Sequence, residues 1–462
     1  MFDHAGLKER IRQRLLQALP ECNSVPGRLV SITLPLPEIR LGALPEIDGE
    51  WYFWGRPHAD EYLFGSGCAR AITADGMKRF DRLAEEFHSI CNHWQRLDPE
   101  NTGIEPALFC GFAFDPDDPM TGSWQGFSNA ELFIPELLLQ QREHHCAISF
   151  FATDVSRTDA LLDRWLGRFN ELITAISRTS EPAGSRTTLT RIAPASSESE
   201  WLGLVNAAIQ EIRRGGLEKV VPSRHIRVRA ERRLEPARLL ATLDFLYPNN
   251  MLFAARRGDA VFTAATPERL VTRSGSSITC DAVAGTARRA ALPQQDDAYG
   301  RQLLHDPKAQ HEHRLVVQSV VDALQPLCET VAEVPAPDLM RLRNLQHLWT
   351  EITGSGKDSV GLLKLTACLH PTAAVNGVPT QAAAEWLRCN EPSRRGWYTG
   401  SAGWMNAKGD GTLAVLLRCA LLQEDEAELF AGAGITAGSE PQSELEETEL
   451  KFGAMLEALE NA

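Results

Sequence analysis

No run of apolar residues in this chain approaches the roughly 20 needed to span a bilayer, so a membrane partner is not expected. No Cys-x-x-Cys pair occurs either. The ten cysteines are scattered from Cys22 to Cys419, and Cys110, Cys280 and Cys419 lie in apolar, strand-like stretches, as buried thiols do rather than a disulfide framework or zinc site. Neither GxGxxG nor GxxxxGK[ST] is present, so nucleotide binding has no motif behind it. Basic residues are in deficit: 47 Lys and Arg against 61 Asp and Glu leave a net charge of −14, which argues against nucleic acid as a partner. A small anionic substrate remains compatible with that charge, because a local cluster of Arg, Lys, backbone amides and a metal can hold a dicarboxylate. Met1 to Arg10 lacks a signal-peptide layout, from which we expect a cytoplasmic protein. No internal repeat or long low-complexity tract is evident.

What is present is ordinary for a globular protein: 462 residues, 43% hydrophobic and 23% charged, enough for two ordinary domains or one large one. An amphipathic helix over Gly6 to Leu19 opens the chain, followed by strand-like runs such as 29–34, 107–114 and 146–152 and a helix over Arg157 to Arg178. The turn-rich stretches beginning at Thr179 and Ala193 mark a linker, so we divide the chain into residues 1–185 and 195–462. The second region opens with a capped helix over Glu200 to Gly215, then strands at 219–224, 251–256, 260–265 and 269–273. Ala407-Lys-Gly-Asp-Gly between two apolar runs is a hairpin signal. Strands joined mainly by hairpins, with helices laid over them, predict an α+β fold.

The most informative stretch is Ala431-Gly-Ala-Gly-Ile, a loop of small residues that leads into a helix crowded with carboxylates. A helix starting near Ser439, with Pro441 in its first turn, places Glu444, Glu447 and Lys451 on one face at i, i+3 and i+7. Gly432 and Gly434 leave peptide N–H groups open to close approach by an anion. The segment is thus suited to hold a divalent cation and a carboxylate together. Elsewhere Lys219, Glu268, Glu312 and His347 interrupt apolar or structural patterns, although each alone also has a structural explanation.

In order, Lys219-Val-Val-Pro-Ser-Arg, Thr266-Pro-Glu-Arg-Leu, Ala284-Gly-Thr-Ala-Arg, Lys308-Ala-Gln-His-Glu-His-Arg, Leu345-Gln-His-Leu, His370-Pro-Thr-Ala-Ala-Val-Asn-Gly, Arg395-Gly-Trp-Tyr-Thr-Gly, Leu417-Arg and the 431–451 stretch closely resemble the chorismate-utilising enzymes. The resemblance covers residues 200 to 460 and, more loosely, the first region. It implies the fold of anthranilate synthase component I, with large, mostly antiparallel sheets covered by helices. It further implies a Mg²⁺-dependent reaction on chorismate, with Glu312 and Glu447 as metal ligands and Glu444 adjacent, acting through water. Thr286, His347, Ala374, Tyr398, Arg418, Gly432, Gly434 and Lys451 match substrate-binding positions. Lys219 matches the general base for water and Glu268 the general acid for the departing C4 hydroxyl. Monomers are the default for the family.

Within the resemblance, Lys219 favours the water-using isochorismate and salicylate synthases over the ammonia-using members, which usually have Gln there. A lysine acts as base near neutral pH when burial or a cationic neighbour assists, and Arg224 is the candidate neighbour. Ala284 stands where aminodeoxychorismate synthases often carry a nucleophilic lysine. Ala374 stands where pyruvate-eliminating members tend to have Thr, which favours stopping at isochorismate. The leading expectation is an isochorismate synthase, an isomerase, somewhat more like the menaquinone-pathway type than the siderophore type. The alternatives are a salicylate synthase, a non-catalytic chorismate-binding paralogue and, more weakly, an aminating enzyme. Two residues depart from the family pattern: Pro222, where Leu is commoner, predicts a bulge or edge, and Ala309, where Asp is usual, bears on how the Glu312 helix is held.

Overall fold

The computed structural model describes residues 4–22, 27–37, 47–143, 145–177, 186–193 and 197–462. Among them one strand pair is parallel, Val30–Leu36 beside Gln95–Leu97; the other ladders are antiparallel, and helices cover them, giving the α+β fold.

The sheet forks. Strand Ala130–Arg142 pairs along nearly its whole length with Glu61–Ala74, while its other edge is divided between His145–Ala152 and Ala107–Phe112. From Glu61–Ala74 one arm continues through Trp51–Arg56, Met251–Arg257, Ala260–Thr266, Cys419–Gln423 and Glu426–Gly432 to Ser223–Ala230. From Ala107–Phe112 the other runs through Ser401–Asn406, Gly411–Val415, Arg269–Ser274 and Ser277–Arg288 to Leu345–Gly356. Strands from before and after the expected linker are therefore hydrogen-bonded neighbours in both arms. Much of that linker, residues 178–185 and 194–196, lies outside the described residues.

Large aromatic side chains fill the core. Tyr52 packs against Phe109, Phe133, Phe253 and Trp397 with ring centroids 4.7–6.5 Å apart. Fully burying each such ring contributes about 4–6 kcal/mol of apolar transfer as an upper bound. Gly111 lacks a Cβ because the Trp397 ring occupies that space.

The expected helices form at Thr158–Ser177 and Glu198–Arg213, the latter with a capping box between Ser197 and Glu200. The expected single strand over 219–224 does not form. Lys219–Val220 pairs with Gly377–Val378 in a separate two-stranded sheet, and the long strand begins only at Ser223. The break falls at Pro222, which has no N–H to give a ladder. Cys110, Cys280 and Cys419 are buried as expected, whereas Cys68, Cys368 and Cys389 are exposed.

Candidate active site

From Ser223 onward the chain crosses between the two arms twice, and a functional candidate sits at each of these crossings. Pro267 and Glu268 join strand Ala260–Thr266 of one arm to Arg269–Ser274 of the other. Pro267 ends the first ladder, and the Glu268 carbonyl accepts from Val415 N at 3.0 Å. Residues 416–418 make the return crossing, with Arg418 held at φ 49° and Thr399 beside it at φ 57°. Left-handed backbone at two non-glycine residues is uncommon and costs energy, and it is typical of functional sites.

A third element is a bulge. Strand Ser277–Arg288 shifts register against Leu345–Gly356 between Ala284 and Thr286, with Gly285 at φ 78°. The shift sets Thr286 directly opposite His347. Ala309 packs on Gly285, where a Cβ would stand 3.1 Å from the Ala309 Cβ. The Glu312 helix, Pro307–Leu324, is capped instead by Asp306, whose carboxylate accepts from Ala309 N at 2.9 Å, so the helix start is satisfied without an Asp at 309.

The last element is helix Pro441–Glu460, with Pro441 in its first turn and the Glu440 carboxylate capping Ser443 N. Its expected acids are not a solvated face. Glu444 is 3% exposed and accepts from Lys308 Nζ at 2.8 Å, a partner that the sequence did not reveal. Glu447 pairs with Lys451 at 2.6 Å, and Lys451 also donates to the Gly432 carbonyl at 2.8 Å.

These elements enclose one cavity. Glu268, Thr286, Glu312, His347, Ala374 and Tyr398 line it, together with Arg418, Gly432, Gly434, Glu447 and Lys451. Two candidates do not line it. Glu444 belongs to a more open cavity next to it, which shares Thr286, Glu312, Gly434 and Glu447. Lys219 lies fully buried in the wall, its Nζ 3.1 Å from Glu312 Oε1 and its Cε against Gly434. Arg224, expected beside Lys219, does not line the cavity; it pairs with Glu449 and lies over the ring of Phe452. Strand alternation after the Pro222 break turns its side chain toward the last helix. The sequence reading also missed wall residues Val221, Val283, Val375, Thr399, Leu417 and Phe430, apolar or small positions whose only signal was their adjacency to motif residues.

Glu268 Oε1 is buried in the wall with no hydrogen-bond partner, and the buried Lys219 Nζ has only the carboxylate of Glu312, 3.1 Å away, as an ion-pair partner. Leaving such groups unsatisfied is costly, and that cost marks functional positions. Burial, reinforced by the charge of Asp281, raises the Glu268 carboxyl to about 8 against the opposing pull of Lys219, Arg418 and Lys451. It therefore holds its proton at neutral pH.

His347 is neutral, pushed down to about 3 by burial and by Arg418 and Lys451. Its Nε2 lies 3.3 Å from Arg418 Nη2, which only donates, so Nε2 accepts and Nδ1 carries the proton toward the Gly285 carbonyl at 3.2 Å. Thr286 Oγ1 is 3.1 Å from that Nδ1 and reaches Glu447 Oε1 at 3.5 Å. Arg418, His347, Thr286 and Glu447 thus form one connected polar row. Tyr398 stacks on Phe430 at 5.3 Å, and a Cβ at Gly432 would stand 3.1 Å from its hydroxyl.

A family model described as chorismate binding enzyme matches residues 14–460. The salicylate biosynthesis isochorismate synthase of Pseudomonas aeruginosa is 36% identical over 415 residues, covering 88% of this chain and 84% of that one. The isochorismate synthase MenF of Bacillus subtilis is 28% identical over 473 residues, 98% of each chain. Among solved structures, MenF, the menaquinone-specific isochorismate synthase of Escherichia coli, superposes with a TM-score of 0.79 at 25% identity over 97% of this chain and 98% of that one. Anthranilate synthase component I of Streptococcus pneumoniae shares the fold, with a TM-score of 0.67 at 21% identity over 94% of this chain and 93% of that one. With its sheet, its crossings and its cavity assembled from the residues that carried the resemblance, the chain belongs to the chorismate binding enzyme family.

Proposed function

We propose that the protein is an isochorismate synthase, converting chorismate to isochorismate by adding water at C2 and expelling the C4 hydroxyl. The observation that carries this reading is a buried acid and a buried base at one cavity: Glu268, which lines it with Oε1 unpaired, and Lys219, in its wall 3.1 Å from the lining carboxylate of Glu312. Glu268, protonated at neutral pH, is suited to give its proton to the C4 oxygen as that oxygen leaves as water. Lys219 takes the proton of the attacking water. One water enters and one leaves, so the net change is an isomerisation. Arg418 and Lys451 supply cations for the two carboxylates of chorismate, and the Tyr398 hydroxyl lies beside Gly432 to donate. Relatives of 36% and 28% identity that carry the isochorismate synthase name support the same activity.

The acids also fit Mg²⁺. Glu312, Glu444 and Glu447 open on one cavity, and the Glu444 carboxyl is raised by burial and by its neighbour Glu447, a tension that a cation relieves. Among the described residues no group of three such side chains forms a ready cage. Mg²⁺ commonly binds through one or two carboxylates with water and substrate completing its shell, which Glu312 and Glu447, both lining the first cavity, could provide. Held by Glu312 and Glu447, Mg²⁺ would supply Lewis acidity to a substrate carboxylate.

Ala374 in the wall offers no hydroxyl to orient the enolpyruvyl group, which supports release of isochorismate over pyruvate elimination. Purified protein incubated with chorismate and Mg²⁺ should yield isochorismate on chromatography. Salicylate and pyruvate as main products would replace this reading with a salicylate synthase, and chorismate binding without product would replace it with a non-catalytic paralogue.

A further inference from the structure

Arg395 does not touch the cavity, yet its guanidinium is saturated by groups that build the cavity wall. A guanidinium carries five N–H donors, and all five are used here. Nε donates to Glu391 Oε2 at 2.8 Å, and Nη2 to Glu391 Oε1 at 2.5 Å and to the Val221 carbonyl at 2.6 Å. Nη1 donates to the Val375 carbonyl at 3.0 Å and to Thr399 Oγ1 at 3.1 Å. The side chains of Arg395 and Glu391 are 3% and 7% exposed, and the guanidinium lies 4.2 Å from the Phe114 ring centroid.

The three acceptors outside the Glu391 pair come from three separate segments of chain. Val221 follows Lys219 by two residues, Val375 follows Ala374, and Thr399 follows Tyr398, and all three of these acceptor residues line the cavity. Glu391 extends the brace, accepting from Ser223 N at 2.7 Å and Ser223 Oγ at 3.0 Å on the far side of the Pro222 break. At that break backbone bonds run to two other segments, Val220 N donating to the Ile435 carbonyl at 3.1 Å and Val221 N to the Asn376 carbonyl at 2.9 Å, and Arg395 adds a side-chain fastening at the Val221 carbonyl.

We propose that Arg395, tethered by Glu391, is a positioning residue for the reaction: one guanidinium fixes the segments bearing Lys219, Ala374 and Tyr398 relative to one another around the substrate. This rests on the isochorismate synthase reading. A lysine keeps the charge and the Glu391 pair but has three donors in a different geometry, so it cannot hold all three wall segments.

The test is steady-state kinetics of Arg395→Lys on chorismate with Mg²⁺, beside Arg388→Lys, whose guanidinium pairs with Asp115 away from the cavity. We expect R395K to keep the wild-type circular dichroism and to melt lower, because it leaves buried acceptors unpaired, while kcat/KM of the folded protein falls by on the order of ten-fold or more, with a raised KM. R388K should match wild type. A purely structural arginine would lower the melting temperature and active fraction and leave KM unchanged, and that result overturns the proposal. A double cycle with Thr399→Val should be non-additive, since the two share one bond; additive losses also overturn it. If R395K does not fold, Glu391→Gln decides, since Glu391 tethers Arg395 without lining the cavity: a raised KM supports the brace and an unchanged KM overturns it. Wild-type protein inactive on chorismate would instead sink the isochorismate synthase reading, and this inference with it, whereas an active wild type with a wild-type-like R395K sinks the inference alone.

Discussion

Gly434 leaves empty the space that the Glu312 carboxylate enters: a Cβ at that position would overlap Glu312 Oε1 and stand 3.2 Å from Cε of Lys219. Gly434→Ala should therefore push both side chains from their places without disturbing the buried core. We expect loss of turnover by at least about ten-fold and a higher Mg²⁺ concentration for half-maximal rate, at unchanged melting temperature. Kinetics with a metal titration would check this, and a wild-type titration would show that the close approach has no functional weight.

The proton on Glu268 gives a second prediction. Its carboxyl ordinarily titrates near 4.5, and burial, with Asp281 adding to it, raises that to about 8 in the folded chain. Between those values the native state holds a proton that the unfolded chain has released. The stability contributed by this group is thus complete below about pH 4.5 and is lost as pH rises through about 8. Turnover should fall along an alkaline limb near the same upper value. Glu268→Gln should abolish turnover by roughly 100-fold or more and remove this group's share of the alkaline loss of stability, as thermal unfolding across pH would reveal.

Replacing the proposed base tests the other half of the pair. Lys219→Ala should reduce chorismate turnover by about 100-fold or more, with the protein still folded. Retained turnover at neutral pH would remove Lys219 from that role.

Metal dependence follows from the acids of the last helix. Chelation should stop turnover, and Mg²⁺ should restore it. Glu447→Gln loses one carboxylate charge and the pair with Lys451, so we expect the Mg²⁺ requirement to rise by about ten-fold or more. An unchanged titration would refute the assignment.

How much of this was legible in the sequence follows from what each feature depends on. The last helix was readable because Pro441 and the i, i+3, i+7 spacing of Glu444, Glu447 and Lys451 are local signals. Most of the residues that line the cavity were readable because the motifs that resemble the family are short and contiguous. Pro222 announced a disturbance, but whether a bulge or a full break depended on Gly377–Val378, more than 150 residues later. Lys308 was visible as a basic residue, and its partner Glu444 was not, since nothing local couples positions 136 apart. Arg395 stood inside a quoted motif with no role attached, because its meaning lies in carbonyls that any residue would supply. The misplacement of Arg224 has the same origin: two residues beyond a broken strand, side-chain direction is set by the new ladder.

The two places after Ser223 where the chain steps from one arm of the forked sheet to the other carry Glu268 and Arg418. Placing the proposed proton donor and the guanidinium at these seams ties them to the mutual alignment of the two arms rather than to any single loop. A slip of one arm against the other would misalign both together, so the aromatic packing between the arms, Tyr52 on Phe109 among it, also serves as the alignment gauge of the proposed chemistry.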